Sequence, residues 1–282
     1  MELLVASTLS GLMMALVVGN ILSGQTTYSE DVIRTKINSN LRSSMDIMSM
    51  NIRQAGENLP EDFEVVKIID GVGTDPDELT LRRNLISDVL TICNNLSIGS
   101  TTVRVSSTTL TDPECIIGNV NSTHQAFSTF RTEATSTVKA FLYDRSSGTG
   151  EFVDYTAEGN SGGELFLTIE GPTNDYAQLT SNIYLVEEWR FNLNETTNTL
   201  DVYRDGDSAT ALTVAFDISD FQARLQMSDS TYIDALDGTH ATLNWKGIRQ
   251  VEITLEGHDQ RKDRGFTSSI TAKYFPRNVL SF

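Results

Sequence analysis

The chain has 282 residues, 39% of them hydrophobic, with 38 acidic against 21 basic side chains and a formal net charge of −17. An acidic surface repels phosphate backbones and anionic lipid head groups, so the balance argues against nucleic acid as a partner. The apolar fraction suffices for a packed core, over one large domain or two small ones, beyond the N-terminal segment.

The chain opens MELLVASTLSGLMMALVVGNILS. Leu3 to Leu22 is a run of 20 residues, and no charge follows Glu2 until Glu30. At helical rise the run reaches about 30 Å, the thickness of a bilayer's hydrocarbon layer. Gly11, Gly19 and the small hydroxyl residues inside it allow a second helix to approach closely. A cleaved secretory signal requires a basic leading segment. Met1 and Glu2 supply none, and the helical pattern runs on past the apolar part, so a retained span is expected over 1–27. Over 28–59 apolar residues recur at Ile33, Ile37, Leu41, Met45, Met48, Ile52 and Ala55, one stripe of an amphipathic helix. Gly56 and Pro60 supply the stop. The two halves are read as one helix of about 50 residues.

Residues 60–282 change to a period of two. Leu79/Leu81, Val103/Val105, Leu165/Leu167/Ile169, Leu200/Val202, Val214/Phe216/Ile218 and Val251/Ile253/Leu255 alternate with polar residues. Asp205-Gly206 is a hairpin signal. The expected class is α+β: a long N-terminal helix, apolar then amphipathic, packed on a mainly antiparallel β-rich head. The stretch 121–140 is compatible with a short helix or an irregular loop.

Chemistry has few candidates. Cys93 and Cys115 lack zinc spacing and are either buried thiols or a disulfide, the latter favoured outside the cytoplasm. Gly159-Asn160-Ser161-Gly162-Gly163 fits G-x-S-x-G, but a nucleophile elbow needs a strand before it and a helix after it, and here a strand follows. A triad also needs a positioned histidine; His124, His240 and His258 fall in polar, loop-like stretches. Asp201, Asp205 and Asp207, with Asp234 and Asp237, form a weak calcium candidate, led by Asp205 and Asp207. Aspartates are common in turns in any case. Asn95, Asn121 and Asn194 head glycosylation sequons. Trp189 and Trp245 are expected in the core. No catalysis, resident metal or cofactor is expected.

Glu2-Leu3-Leu4-Val5-Ala6-Ser7 resembles the start of type IV pilins and type II secretion pseudopilins. In those proteins a basic leader ends in glycine, and a phenylalanine and a short hydroxyl/apolar run precede the glutamate. Here Met1 stands directly before Glu2, and the leader, its glycine and the first mature residues are missing, as an initiation codon placed too late or a trimmed chain would produce. Asn51-Ile52-Arg53-Gln54-Ala55-Gly56 is similar to the helix end of PilW-like minor pilins. Asp77-Glu78-Leu79-Thr80-Leu81-Arg82-Arg83 resembles their first head strand. Trp245 to Leu255 resembles their penultimate strand, and Arg264 to Arg277-Asn278 their closing strand. The middle, about 90 to 180, matches nothing in that family.

The resemblance implies a minor pilin that primes assembly or joins a tip complex. Glu2 would neutralise the amino terminus of a neighbouring subunit, and Leu3, Leu4, Val5, Leu12 and Leu16 would lie in the filament core. The implied partners are other minor and major pilins, a tip adhesin, and the inner membrane before assembly. The head would be periplasmic and then extracellular, which favours a linked Cys93–Cys115. A minor pseudopilin of the GspJ kind shares the same features. A membrane-anchored extracytoplasmic binding domain would explain the span but not Glu2 or the continuous helix.

Overall fold

The computed structural model describes the whole chain except residues 1, 61–62, 74, 135–136, 208, 237–246, 262–263, 277 and 279–282; the side chains of 2–6, 8, 260, 261 and 264 are likewise outside the description. Trp245, Asp237, His240 and Arg277 therefore lie outside the described residues. The architecture is α+β, as the pattern predicts. Helix α1 runs without a break over Glu2–Gln54. At 1.5 Å per residue its 53 residues extend about 80 Å. It contains no proline, and it ends where Gly56 takes a positive φ of 81° and donates its amide to Arg82 O at 2.9 Å. Asn58 follows at φ 55°.

The head folds around two hydrophobic cores, not one. The first belongs to the second half of α1 and to two antiparallel sheets. In one sheet the order is β1 (Val66–Ile69), β2 (Glu78–Asn84), β9 (Val186–Asn194), β10 (Thr199–Arg204), β11 (Leu212–Phe216). In the other it is β13 (Tyr232–Ile233), β12 (Ile218–Met227), β14 (Ile248–Arg261), β15 (Arg264–Tyr274). Every stripe residue from Ile33 to Ala55 is buried here, with Phe191, Phe221, Ile253 and Leu255 from the sheets. Two polar residues on the same face donate to carbonyls of their own helix: Ser44 Oγ to Asn40 O and Asn51 Nδ2 to Ile47 O.

The second core belongs to a sheet ordered β3 (Leu90–Thr91), β8 (Ser181–Tyr184), β5 (Val138–Asp144), β6 (Thr149–Ser161), β7 (Glu164–Ile169), β4 (Thr102–Arg104). Helix α2 (Ile117–Glu133) covers it, burying Val120, His124 and Phe127. This settles the stretch left open at 121–140: its first part is helix. α2 follows a 3-10 turn, Pro113–Cys115, whose Asp112 side chain accepts the Glu114 amide.

Strands β2 and β9 are antiparallel neighbours, with Leu79 opposite Phe191. The whole second lobe, residues 85–185, is thus an insertion between two adjacent strands of the first. Its ends are tied together: Leu85 N donates to Leu185 O at 2.9 Å and Leu185 N to Asn84 Oδ1 at 3.0 Å. This insertion contains the stretch, about 90 to 180, that carries no part of the sequence resemblance. One correction follows: Asp77–Arg83 forms the second strand of the head, β2, because β1 precedes and pairs with it through Val66 opposite Leu81.

Candidate functional site

The most distinctive surface is the first half of α1. Every described side chain from Leu9 to Ser29 is exposed. Leu12 is 65% and Leu16 68% exposed, although both are apolar. The helix is long and apolar enough to cross a membrane. Two of its hydroxyls are satisfied within the helix, since Thr26 and Thr27 donate to Leu22 O and Ser23 O one turn back. A Cβ at Gly11, Gly19 or Gly24 would meet no other atom, so those positions leave shallow notches for another helix. Glu2, Leu3, Leu4 and Val5 lie on the helical backbone, but their side chains are outside the described residues.

The second half of α1 is seated on β14, β15 and β11. Lys36 Nζ approaches Asp217 Oδ2 to 2.5 Å, Asn40 Nδ2 donates to Phe216 O at 2.9 Å, and Ser268 Oγ donates to Asn38 Oδ1 at 3.1 Å. Further along, Tyr274 OH donates to Met45 O and Arg83 to Gln54 Oε1. The Arg34 guanidinium lies 5.0 Å from the Phe266 ring centre. Gly257 lets the helix come this close: a Cβ there would sit 2.7 Å from Ile37 Cγ2. An isolated glycine in a strand signals close approach of another element, and Gly257 is the position sequence reading missed.

Phe63, just past the helix, joins the lobes. Its ring centre lies 5.6 Å from Phe141, 4.7 Å from Tyr143 and 5.0 Å from Tyr184, all on the inserted sheet. Beside it Arg82 is held between Glu188 Oε2 at 2.7 Å and Glu64 Oε2 at 2.9 Å. Burial opposes the Arg82 charge, but those two carboxylates outweigh it and raise its pKa.

The other candidates resolve plainly. Cys93 and Cys115 form a disulfide, with Cα atoms 5.7 Å apart. Ser161 ends β6, and Gly162-Gly163 make a tight turn into β7 with φ of 64° and 81°, so the motif is a hairpin. Two histidines are not in loops. His124 is buried on α2 with Nε2 3.1 Å from Phe166 O, and His258 lies on β14 with Nδ1 2.9 Å from Thr267 Oγ1.

Asp205 and Gly206 both take positive φ, 52° and 72°, forming the expected turn between β10 and β11. The Asp205 carboxylate accepts Glu188 N at 2.9 Å, and burial pushes its pKa up. Asp207 accepts the Ala209 amide at 2.7 Å, which holds its pKa down. Asp201 accepts Thr213 Oγ1. Asp207 serves its own turn while Asp205 and Asp201 bond to neighbouring strands, and among the described residues no group of three or more His, Cys, Asp or Glu is placed to hold a metal ion. Two of the sequon asparagines are also engaged: Asn95 Oδ1 accepts Gln178 N, and Asn194 Oδ1 accepts the Thr196 and Thr197 amides. Trp189 is partly buried against the first core, with Arg204 5.0 Å above its ring.

Comparison with protein-family models, with curated proteins and with solved structures gives no match. The functional reading therefore rests on the helix, its seat and the two lobes.

Proposed function

We propose that the chain is a structural subunit of a type IV pilus, a minor pilin of the PilW-like kind that primes assembly or joins the tip. One observation carries the reading. A single unbroken helix has one half, Leu9 to Ser29, fully outside the head and the other, Ile33 to Ala55, built into its core. A simple anchor needs only a span and a linker. A helix that continues rigidly from an apolar rod into a folded head fixes the head's orientation to the rod, which a helical filament requires of each subunit.

In this proposal the apolar half waits in the inner membrane with the head on the periplasmic side. It then leaves lipid for a bundle of like helices, where Leu12, Leu16 and the glycine notches pack. A carboxylate in such a bundle needs a positive partner, and Glu2 would meet the amino terminus of a neighbour. The oxidised Cys93–Cys115 pair agrees with a head outside the cytoplasm. The subunit performs no reaction and uses no cofactor.

The test is Glu2→Ala in the full precursor, expressed in the organism of origin. Surface filaments should fall and the protein should stay in the membrane fraction instead of the sheared fraction. Unchanged filaments and fractionation would replace this reading with a membrane-anchored extracytoplasmic binding domain.

A further inference from the structure

Charge is divided unevenly along the chain. Helix α1 sets Glu2, Glu30, Asp31 and Asp46 against Arg34, Lys36, Arg42 and Arg53, so the whole formal charge of −17 lies beyond it, in the head. Lys36 is paired with Asp217. On the solvent face of the seated half, exposed Arg34, Arg42 and Arg53 outnumber exposed Asp31 and Asp46. Arg34 lies over the Phe266 ring, but Arg42 and Arg53 have no carboxylate at ion-pair distance among the described residues.

The opposite side of the molecule carries the complement. In β14, Val251, Ile253 and Leu255 are buried toward α1, so Glu252 and Thr254 project from the other face of the sheet. There a hollow of about 490 Å³ is lined by Asp70, Asp77, Asp234, Glu252, Gln222 and Thr254. Two of its carboxylates are engaged. Asp77 accepts the Gly71 and Ala223 amides, and Glu252 is paired with Arg224, on the same wall, and with Lys273. Asp70 and Asp234 are exposed and have no basic partner among the described residues. The bridge between Ile68 and Leu236 places these two opposite each other. Burial, with the Asp70 charge nearby, pushes the Asp77 pKa up. Like charges so opposed are destabilising, and a cation between them relieves the repulsion. A guanidinium, with five donors in a planar fork, can serve two carboxylates at once.

Height decides which of these residues can meet. A Cβ on Gly257 would touch Ile37 and Leu41, and Tyr274, paired with Val251, bonds Met45 O. Glu252 and Thr254 lie between those two levels, so the hollow stands roughly level with Arg42. Two copies held in one membrane by the same apolar half stand at the same height. We infer that such copies pair side by side, with Arg42 of one reaching between Asp70 and Asp234 of the next. Because the two faces lie on opposite sides of the molecule, the contact is heterologous and extends into a ring or a row. Val72, 87% exposed between Asp70 and Gly73, adds an apolar contact at the rim. At physiological ionic strength charges more than about 8 Å apart are largely screened, so the local pair outweighs the repulsion between two acidic heads. The inference rests on the anchored stage of the proposed function and not on the filament.

The experiment is cysteine cross-linking of the full-length chain in bacterial membranes with a short bis-maleimide. Cys93 and Cys115 are joined and do not react. Ser39→Cys, exposed one turn from Arg42, and Val72→Cys are placed in separate, differently tagged copies. Co-expressed, the two should give a cross-linked dimer, and either alone should give none, the signature of a heterologous contact. Arg42→Glu should lower the dimer about fivefold, the scale of one exposed ion pair turned into a repulsion. Asp70→Lys with Asp234→Lys in the other copy should restore it. Arg53→Glu, on the same helix face but about 16 Å further along, should change nothing. The inference is overturned by no dimer from the co-expressed pair, by a dimer from either variant alone, by a dimer that Arg42→Glu leaves undiminished or that Arg53→Glu lowers equally, or by failure of the paired lysines to restore it. The cross-link is read before any filament forms, so its failure and the failure of the Glu2→Ala test are separate results.

Discussion

The two lobes cover antiparallel sheets with helices of different kinds. In the insertion, α2 is 17 residues long and belongs wholly to its own lobe, pinned by a bidentate Arg131–Glu158 pair and flanked by the Cys93–Cys115 bridge. In the helix-bearing lobe, α1 is 53 residues long and gives the head only its second half. That lobe must grip a lever whose far end lies elsewhere, so it uses an uninterrupted buried stripe and side-chain bonds along more than five turns. The insertion leaves and re-enters between neighbouring strands β2 and β9, away from β14 and β15 where the helix sits. The long stripe of α1 thus sits mainly on strands that do not carry the insertion, while the end of the helix meets β2 through Gln54 and Gly56.

The sharpest break of that comparison comes from Leu41→Ala, in the middle of the buried stripe. Truncating a buried leucine costs about 2–5 kcal/mol. Hydrogen exchange should show β14 and β15 losing protection while β5 and β6 keep theirs. Equal loss in both would mean the lobes unfold as one unit through the Phe63 cluster. The mirror experiment is Cys93→Ser with Cys115→Ser. It opens a loop of sequence separation 22 and should cost the insertion about 3 kcal/mol by the loop-entropy account, leaving the helix-bearing lobe unaffected.

Much of the first lobe is legible in the sequence, because a stripe at helical period and alternation at period two each report one buried face. All seven stripe residues are in the core, and the Asp205-Gly206 turn falls where its chemistry requires. The division of the strands between two cores is not legible, since alternation marks a buried face without saying which sheet shares it. α2 is obscured because its buried face includes His124 and its other positions carry Ser, Thr and Asn. The cleft between the lobes, where Leu59, Thr91, Glu114 and Asn182 come together from distant parts of the chain, is the least legible feature.

Acid separates the lobes more gently. Arg131, with Ser128 Oγ and Tyr155 OH also donating, holds the Glu158 carboxyl down at about 2 from its usual 4.5. A lowered carboxylate pKa stabilises the fold fully above 4.5, and that contribution is lost as pH falls from 4.5 toward 2. Glu158→Gln should remove this slope from the melting of the insertion and cost roughly 2 kcal/mol at neutral pH, after allowance for partial exposure. An unchanged slope in the variant would mean that other carboxylates set the acid response of this lobe.

The smallest change tests the seat itself. Gly257→Ala adds one methyl where Ile37 Cγ2 would stand 2.7 Å away and Leu41 Cδ2 3.5 Å away. Overpacking of this kind costs about 1–3 kcal/mol, which the head can absorb by letting the helix shift. Gly265→Ala, on the same hairpin, is the control, because its nearest neighbour is the His258 ring and not α1. The glycine at 257 should therefore lower the melting temperature modestly, and under the filament proposal it should also lower the share of protein recovered with sheared filaments more strongly, because a subunit whose rod meets its head at a different angle would misfit its neighbours. Equal effects from the two alanines on both measurements would mean that the close approach of α1 to β14 stabilises the head but does not set the angle at which it is carried.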